Sequence, residues 1–337
     1  MADLKTTYMG IELRNPVVAG ASTLTSNMAS IKQLEDAGAG AIVISSLFEE
    51  QIQLERMKLE EDLTAYDYLH PEMITVFPQL EHAGPQEHLM WVRKARESVG
   101  IPVFASLNAV SRETWVEYAA LLAETGVDGI ELNFYATPSD FDVDGASIEE
   151  EQVAIVRDVK QALSIPVSVK LSPFYANPLH FVSCLDAAGV DGFVLFNRFF
   201  QPDIDVDREQ NTYPFNFSRE GDYGLALRFA GLLYGHLEGD VCCNTGIFTG
   251  QDVVKMILAG ATCVQVVSTL YKNKITVLGT ILRTVQDWME SRGYEALADF
   301  RGALSRQESS DPWAYTRAQY VRLLLKPDLG ARGYPSR

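Results

Sequence analysis

Ala37-Gly38-Ala39-Gly40 runs straight into Ala41-Ile42-Val43-Ile44, and the chain repeats that grammar three more times. Thr125-Gly126-Val127-Asp128-Gly129 leads into Ile130-Glu131-Leu132, Ala188-Gly189-Val190-Asp191-Gly192 into Phe193-Val194-Leu195, and Ala259-Gly260-Ala261 toward Cys263-Val264-Gln265-Val266. A glycine just past a helix supplies the left-handed cap, and the apolar run after it reads as a strand buried on both faces. Each copy is the junction of one βα unit. Ile101-Pro102-Val103-Phe104-Ala105 and Ile165-Pro166-Val167-Ser168-Val169-Lys170 add two strands entered through proline, which a strand tolerates at its first residue.

Working outward, the pattern predicts strands at 16–20, 41–46, 102–108, 129–134, 166–172, 192–197, 241–246 and 263–270, alternating with amphipathic segments. Eight is the number that closes a (β/α)8 barrel. A helix over 111–126 carries the stripe Trp115, Tyr118, Ala119 and Leu122, and one over 273–290 carries Leu278, Ile281, Leu282, Val285 and Trp288. Ser147 with Glu150 reads as a capping box, and Asn177-Pro178 as an N-cap followed by proline at the first helical position. An open doubly wound sheet would use the same alternation. No Gly-x-Gly-x-x-Gly follows the first strand, which favours the α/β TIM barrel.

The 337 residues, 47% of them hydrophobic, match one elaborated barrel domain spanning 1–337, with the barrel over about 15–293 and a C-terminal helical extension over about 294–337. Leu4–Tyr8 and Ile11–Arg14, turning at Met9-Gly10, read as an N-terminal hairpin closing the barrel bottom, and Trp313 to Leu325 as a final helix outside. Insertions at 47–84, after the second strand, and 198–222, after the sixth, fall on the face where barrels build their sites. A net charge of −17 argues against nucleic acid and anionic membrane surfaces as partners. No stretch reaches the roughly 20 apolar residues of a membrane helix, and the start lacks a signal-peptide pattern, so the expected location is cytoplasmic. Cys184, Cys242, Cys243 and Cys263 lack metal-ligand spacing and read as buried reduced thiols; no metal is expected.

Polar residues at the strands' carboxyl ends are the informative set, because a barrel interior otherwise takes branched apolar side chains. They are Ser22, Ser45, Ser46, Asn108, Asn133, Lys170, Asn197, Asn244 and Thr245, a hydrogen-bonding frame for a flat polar ligand. Lys170 stands out, since a buried lysine is costly unless paired with negative charge. It offers three readings: offsetting charge on a reduced cofactor, forming a Schiff base, or bridging to Glu131. The last two strands end in Asn244-Thr245-Gly246-Ile247 and Val267-Ser268-Thr269, with a helix over 249–261 beginning beside them, a place where barrels bind phosphate.

At these residues the chain resembles the dihydroorotate dehydrogenase family of FMN barrels. The resemblance runs from about residue 4 to about 300. It rests on Asn15-Pro16-Val17-Val18, Glu131-Leu132-Asn133, Pro166 through Pro173, Asn197, Gly221-x-x-Gly224, and Gly246-Ile247-x-Thr249-Gly250-Gln251-Asp252 through Gly260 to Val266. It implies FMN as cofactor, with Gly20, Ala21, Ser22 and Ser46 lining the flavin and Lys170 facing its pyrimidine-edge carbonyl. Asn108, Asn133 and Asn197 would bridge flavin and substrate. The phosphate would lie near Gly224, Thr245, Gly246, Val267 and Ser268.

The departures bear on function. Where the family carries a Cys or Ser base, the chain reads Phe134-Tyr135-Ala136-Thr137-Pro138, so a methyl group stands at the base position, with Tyr135 and Ser139 as stand-ins. The family's Thr-Lys-Ser at the second strand is Ile44-Ser45-Ser46, and Arg198 replaces a small hydroxyl residue beside Asn197, where it would meet an anionic substrate or pair with a carboxylate. The leading expectation is an FMN-dependent CH–CH oxidoreductase acting on a small dihydropyrimidine-like or other anionic compound, with dihydroorotate itself a poor substrate. A Schiff-base lyase using Lys170 and a non-catalytic, flavin-holding subunit of a redox complex are the competing classes. Without paired cysteine ligands for an iron–sulfur cluster, electrons would leave to a soluble acceptor or a partner redox subunit. A homodimer is compatible with all three.

Overall fold

The computed structural model describes residues 2–53, 85–135, 140–199, 201–212, 217–311, 313–317 and 321. The chain opens with the expected hairpin, β1 (Thr6–Tyr8) and β2 (Ile11–Leu13), antiparallel with Tyr8 opposite Ile11. Met9 and Gly10 both sit at positive φ, 54° and 75°, which is the two-residue turn that suits the twist of a hairpin. Then follow β3 (Val17–Ala19), β4 (Ala41–Val43), β5 (Leu47–Phe48), β6 (Val103–Asn108), β7 (Gly129–Asn133), β8 (Val167–Leu171) and β9 (Gly192–Leu195). A small exposed hairpin, β10 (Asp203–Asp205) with β11 (Gln210–Thr212), precedes β12 (Asp240–Cys243) and β13 (Cys263–Val266).

Parallel pairing runs β3-β4-β6-β7-β8-β9-β12-β13 and returns from β13 to β3, so eight strands close the barrel and the open sheet is excluded. β5 extends the second barrel strand by pairing with the far end of β6. Around it lie α1 (Met28–Asp36), α2 (Pro85–Ser98), α3 (Arg112–Ala123), α4 (Gly145–Ala162), α5 (Pro178–Ala187), α6 (Gly224–Leu233), α7 (Gly250–Ala259), α8 (Ser268–Asn273) and α9 (Val277–Arg292). Gly38, Gly126, Gly189 and Gly260, which punctuate the repeats, all take positive φ. The aspartates of that repeat have a structural task. Asp128 accepts from Val103 N at 2.8 Å and Asp191 from Val167 N at 2.7 Å, each clamping the start of a neighbouring strand.

Side chains alternate across each strand. One set packs outward against the helices, and the other points along the barrel axis. At the barrel's lower end Val18, Val43, Phe104, Val194, Cys242 and Cys263 form an inner cluster with Tyr8, Met9 and Leu13 of the hairpin. Tyr8 meets Phe104 edge to face at 6.0 Å. A Cβ on Gly192 would stand 2.8 Å from the Tyr8 hydroxyl and 2.9 Å from Met9 Cγ, so that strand begins with glycine because the hairpin occupies its side-chain space.

Several expectations need correction. The strand expected over 263–270 ends at Val266, and Ser268 already begins α8; a run of apolar and small residues does not mark where backbone pairing stops. α4 starts earlier than the Ser147–Glu150 box suggested, with Asp144 as N-cap accepting from Ser147 N. Residues 313–317 are turns, Val321 is helical, and the rest of the helix expected over Trp313 to Leu325 lies outside the described residues. The first part of the extension holds a 3-10 turn, Leu297–Asp299, and stays on the barrel by backbone bonds from Gly302 N to Ile257 O and Arg306 N to Gly231 O. Cys184 is half-buried on α5, while the other three thiols are buried. The insertion beyond residue 53 lies outside the described residues as far as 84.

Candidate functional site

At the strands' carboxyl ends the barrel opens into a cavity of about 440 Å³, within the roughly 300–1,000 Å³ typical of small-molecule sites. Its floor is built by β7, β8 and β13. Lys170 on β8 is 6% exposed and its Nζ lies 3.7 Å from Glu131 Oε1 of β7, an ion pair too long to be a hydrogen bond. Glu131 Oε2 accepts from Gln265 Nε2 of β13 at 2.5 Å. A carboxylate only accepts, so this contact fixes which end of the Gln265 amide faces it. Glu131 Oε1, Gln265 Oε1 and Ser22 Oγ are buried with no hydrogen-bond partner among the described residues. Unpaired buried polar atoms are rare and call for an explanation, and beside a cavity a ligand is one.

The wall above the floor is ordered by asparagines. Asn197, just past β9, donates through Nδ2 to Asn133 Oδ1, which leaves the Asn133 amide nitrogen to face the cavity. Asn108 does not line the cavity. Its Nδ2 donates to Asn133 O at 2.7 Å and Tyr135 O at 3.3 Å, so it shapes the loop after β7 instead of touching a ligand. Ser46 lines the wall and its Oγ lies 2.7 Å from Ser106 Oγ. Tyr135 lines it too, its ring edge-on to Phe199 at 4.9 Å.

Opposite, Thr245, Gly246, Val267 and Ser268 line the cavity as a turn of small residues. A Cβ on Gly246, at φ 75°, would stand 2.7 Å from the amide nitrogens of Asp222 and Tyr223, so only glycine allows this approach. Ser218 Oγ donates to Ser268 Oγ at 2.8 Å and accepts from Gly246 N at 3.2 Å. The helix end expected to serve an anion here is filled from within: Asp252 accepts from Phe248 N at 3.2 Å and Thr249 N at 3.0 Å at the start of α7. α6 differs, because its N-cap residue Tyr223 contributes no side-chain cap and Gly224 has open space around it.

Ala21, Ser22, Ser46, Asn133, Lys170, Asn197, Arg198, Thr245, Gly246, Val267 and Ser268 line one cavity. Gly20 stays behind the wall, its would-be Cβ 2.8 Å from Val267 Cγ2. Gly224 does not line the cavity, and Ala136 and Ser139 lie outside the described residues. Arg198 reaches the cavity while held to Asp222 at 2.9 Å. Sequence reading missed Gln265, Phe217, Ser218 and Tyr271. Gln265 interrupts an apolar strand as Lys170 does and carried a readable signal; Tyr271 lies on α8, just past the expected strand, its ring 5.0 Å from that of Phe217. No group of three or more metal-ligating side chains occurs among the described residues, and no helix there is long and apolar enough to cross a membrane.

Comparison with known proteins gives the family. A family model described as dihydroorotate dehydrogenase matches residues 80–289, more than half of the chain. The chain is 26% identical to dihydroorotate dehydrogenase B (NAD(+)), catalytic subunit, of Thermoplasma acidophilum, over 91% of this chain and 100% of that protein. It is 26% identical to the protein of the same name from Methanocaldococcus jannaschii, over 80% and 87% of the two chains. A putative dihydroorotate dehydrogenase A (fumarate) of Aeropyrum pernix is also 26% identical, over 90% and 98%. The chain belongs to the dihydroorotate dehydrogenase family.

Proposed function

We propose that the protein is an FMN-dependent oxidoreductase that oxidises or reduces a carbon–carbon bond of a small dihydropyrimidine-like or other anionic compound, and that dihydroorotate is at best a poor substrate. The observation that carries this reading is the cavity floor, where a nearly buried lysine sits beside buried polar atoms without partners. The residues present fit FMN on two further counts: the glycine cradle at Gly246 against the Asp222 and Tyr223 amides, and the uncapped start of α6 beside it. Bound FMN supplies two-electron hydride exchange with a substrate stacked on its ring.

In this reading Ala21 and Ser22 meet the flavin edge, Gly20 and Ser46 support it, and Lys170 offers a positive charge to its pyrimidine edge. Asn133 and Asn197 orient the substrate, with Asn108 holding the loop that carries them. Thr245, Gly246, Val267, Ser268 and the start of α6 at Gly224 receive the phosphate, with Ser218 turning its hydroxyl proton from Ser268 Oγ toward it. Tyr135 is the cavity-lining residue able to exchange a proton near the substrate, because Ala136 supplies none. Arg198 meets an anionic substrate with the guanidinium that Asp222 also engages. The naming of relatives as catalytic subunits supports a partner redox subunit or a soluble acceptor as the electron outlet. The Glu131 contact speaks against the lyase, since it favours an ammonium where a Schiff base needs a free amine.

The test is direct. Heat-denatured protein should release FMN, or the apoprotein should take it up. Dihydroorotate should fail to reduce that flavin at rates of about 1 s⁻¹ or more, and Ala136→Cys should raise the rate by about 10²-fold, the lower range of general-base catalysis. No flavin under any loading condition overturns the cofactor. Wild-type turnover with dihydroorotate at ordinary enzyme rates overturns the substrate reading and makes Tyr135 the base to examine.

A further inference from the structure

Glu131 is 1% exposed and meets side chains of two other strands, Lys170 of β8 and Gln265 of β13. One carboxylate oxygen faces Lys170 Nζ at 3.7 Å; the other accepts from Gln265, which reaches across from β13. A tight structural ion pair would close to about 2.7–2.9 Å and consume the ammonium's donors. At 3.7 Å the pairing is electrostatic, not a hydrogen bond, so it does not consume the Nζ–H donors that a ligand above the floor would meet.

The groups packed around this pair add no other full negative charge among the described residues. Burial pushes the Tyr8 hydroxyl and the Cys242 and Cys263 thiols below it up, toward their neutral forms. Ser106 and Ser168 are neutral, and at the mouth Asp222 is engaged by Arg198. A lysine this buried, without a carboxylate beside it, gives up its proton, because the charged form pays the larger desolvation cost.

We propose that Glu131, oriented by Gln265, is a positioning residue that keeps Lys170 ionised, so that the cavity floor presents a permanent positive charge to the ring seated on it. Only the identity of that ring rests on the flavin reading above. Glu131 and Gln265 then matter to the reaction without touching substrate.

The deciding measurement uses the full-length apoprotein: the pH profile of reductive methylation at Lys170, followed by peptide mass spectrometry with Lys160 as the internal control. Formaldehyde reacts with the free amine. In Glu131→Gln the Lys170 profile should move to lower pH by about one unit or more, which is about tenfold faster labelling near neutrality. Wild type and variant should meet at the same plateau at high pH. Glu131→Asp should restore the wild-type profile, and Gln265→Leu should give a smaller shift in the same direction. An unmoved profile overturns the proposal, and so does faster labelling by one factor at every pH, which would mean opened access. If Glu131→Gln does not fold, Gln265→Leu carries the test by the same criteria. A second arm uses FMN-loaded protein between the labelling midpoints of the variant and of wild type, where the flavin midpoint potential should fall by about 30 mV per pH unit in wild type and about twice that in Glu131→Gln, because Lys170 of the variant then takes up a further proton with each electron pair. Equal slopes over that range overturn it. If the protein takes no FMN, the flavin reading falls while the labelling experiment still decides this one.

Discussion

The lower and upper halves of the barrel are lined by the same strands in the same alternation, yet they hold opposite chemistry. Below, Phe104, Val194, Cys242 and Cys263 enclose Tyr8 and Met9 of the N-terminal hairpin in a buried plug. Two residues further along β6, β7 and β13, the inward positions become Ser106, Glu131 and Gln265, with Lys170 on β8 above them. Both layers bury an oxygen without a hydrogen-bond partner, the Tyr8 hydroxyl below and Ser22 Oγ, Glu131 Oε1 and Gln265 Oε1 above, but only in the upper layer do such residues, Ser22 and Gln265, border the cavity. The lower half stabilises the fold and the upper half is held open by it, so substitutions in the two halves should fail in different ways.

The largest expected effect is in the plug. Tyr8 is 2% exposed and fills the space that Gly192 leaves. Tyr8→Ala should cost about 3–5 kcal/mol, the range for truncating a large buried aromatic, read as a lower urea midpoint with an unchanged slope. A loss under about 1 kcal/mol would mean that the hairpin is an accessory and that the two halves do not differ as described.

Next comes the floor. Lys170→Met leaves Glu131 buried with only Gln265 for a partner and should cost about 3–5 kcal/mol, as breaking buried pairs does. Adding Glu131→Leu should return most of that loss, because an apolar pair of similar volume needs no counter-charge. The double variant should nonetheless lose flavin affinity. That split, stability regained and binding not, separates the upper half from the lower. A double variant as unstable as the single one would show that the ion pair is not what the floor is built on.

How far each half was legible follows from the kind of signal it leaves. Barrel topology is written locally, in glycines that must take positive φ and in strands too apolar to be edges, so closure was readable from Gly38, Gly126, Gly189 and Gly260. Lys170, Asn133 and Asn197 were readable because a polar residue in an apolar strand breaks the expected pattern. Gln265 breaks the same pattern and was passed over as an uncharged side chain. Ser218 and Phe217 sit in an insertion without periodicity, and their approach to the cavity depends on tertiary contacts such as Ser218 with Ser268. Strand ends were overrun at Val266 because hydrophobicity continues through Val267 into Leu270 and Tyr271 while the ladder does not. The role of Asn108 was misjudged for a related reason. Its position at a strand end is sequence information, but its bonds to the carbonyls of Asn133 and Tyr135 are not.

The smallest effect lies outside the interior and sharpens the contrast between the two helix ends beside the mouth. Asp252 serves the start of α7 as a built-in anion: Oδ2 accepts from the amides of Phe248 and Thr249 and from Thr249 Oγ1 at 2.9 Å, and Oδ1 meets Lys255 at 3.0 Å. Burial pushes this carboxyl up, but Lys255, Thr249 and the two amides outweigh it and hold it below its ordinary value of 3.8. A carboxylate with a lowered native pKa adds stability that is fully present above its unfolded value and is lost as pH falls through the native one. Asp252→Asn should therefore cost about 1 kcal/mol near neutrality, the usual worth of such a cap, and the difference from wild type should shrink once the pH drops below 3.8. Urea unfolding at two pH values measures it. A difference that stays constant through the acid range would mean that the carboxylate's charge contributes nothing at this helix end, and the contrast with the uncapped start of α6 would lose its electrostatic basis.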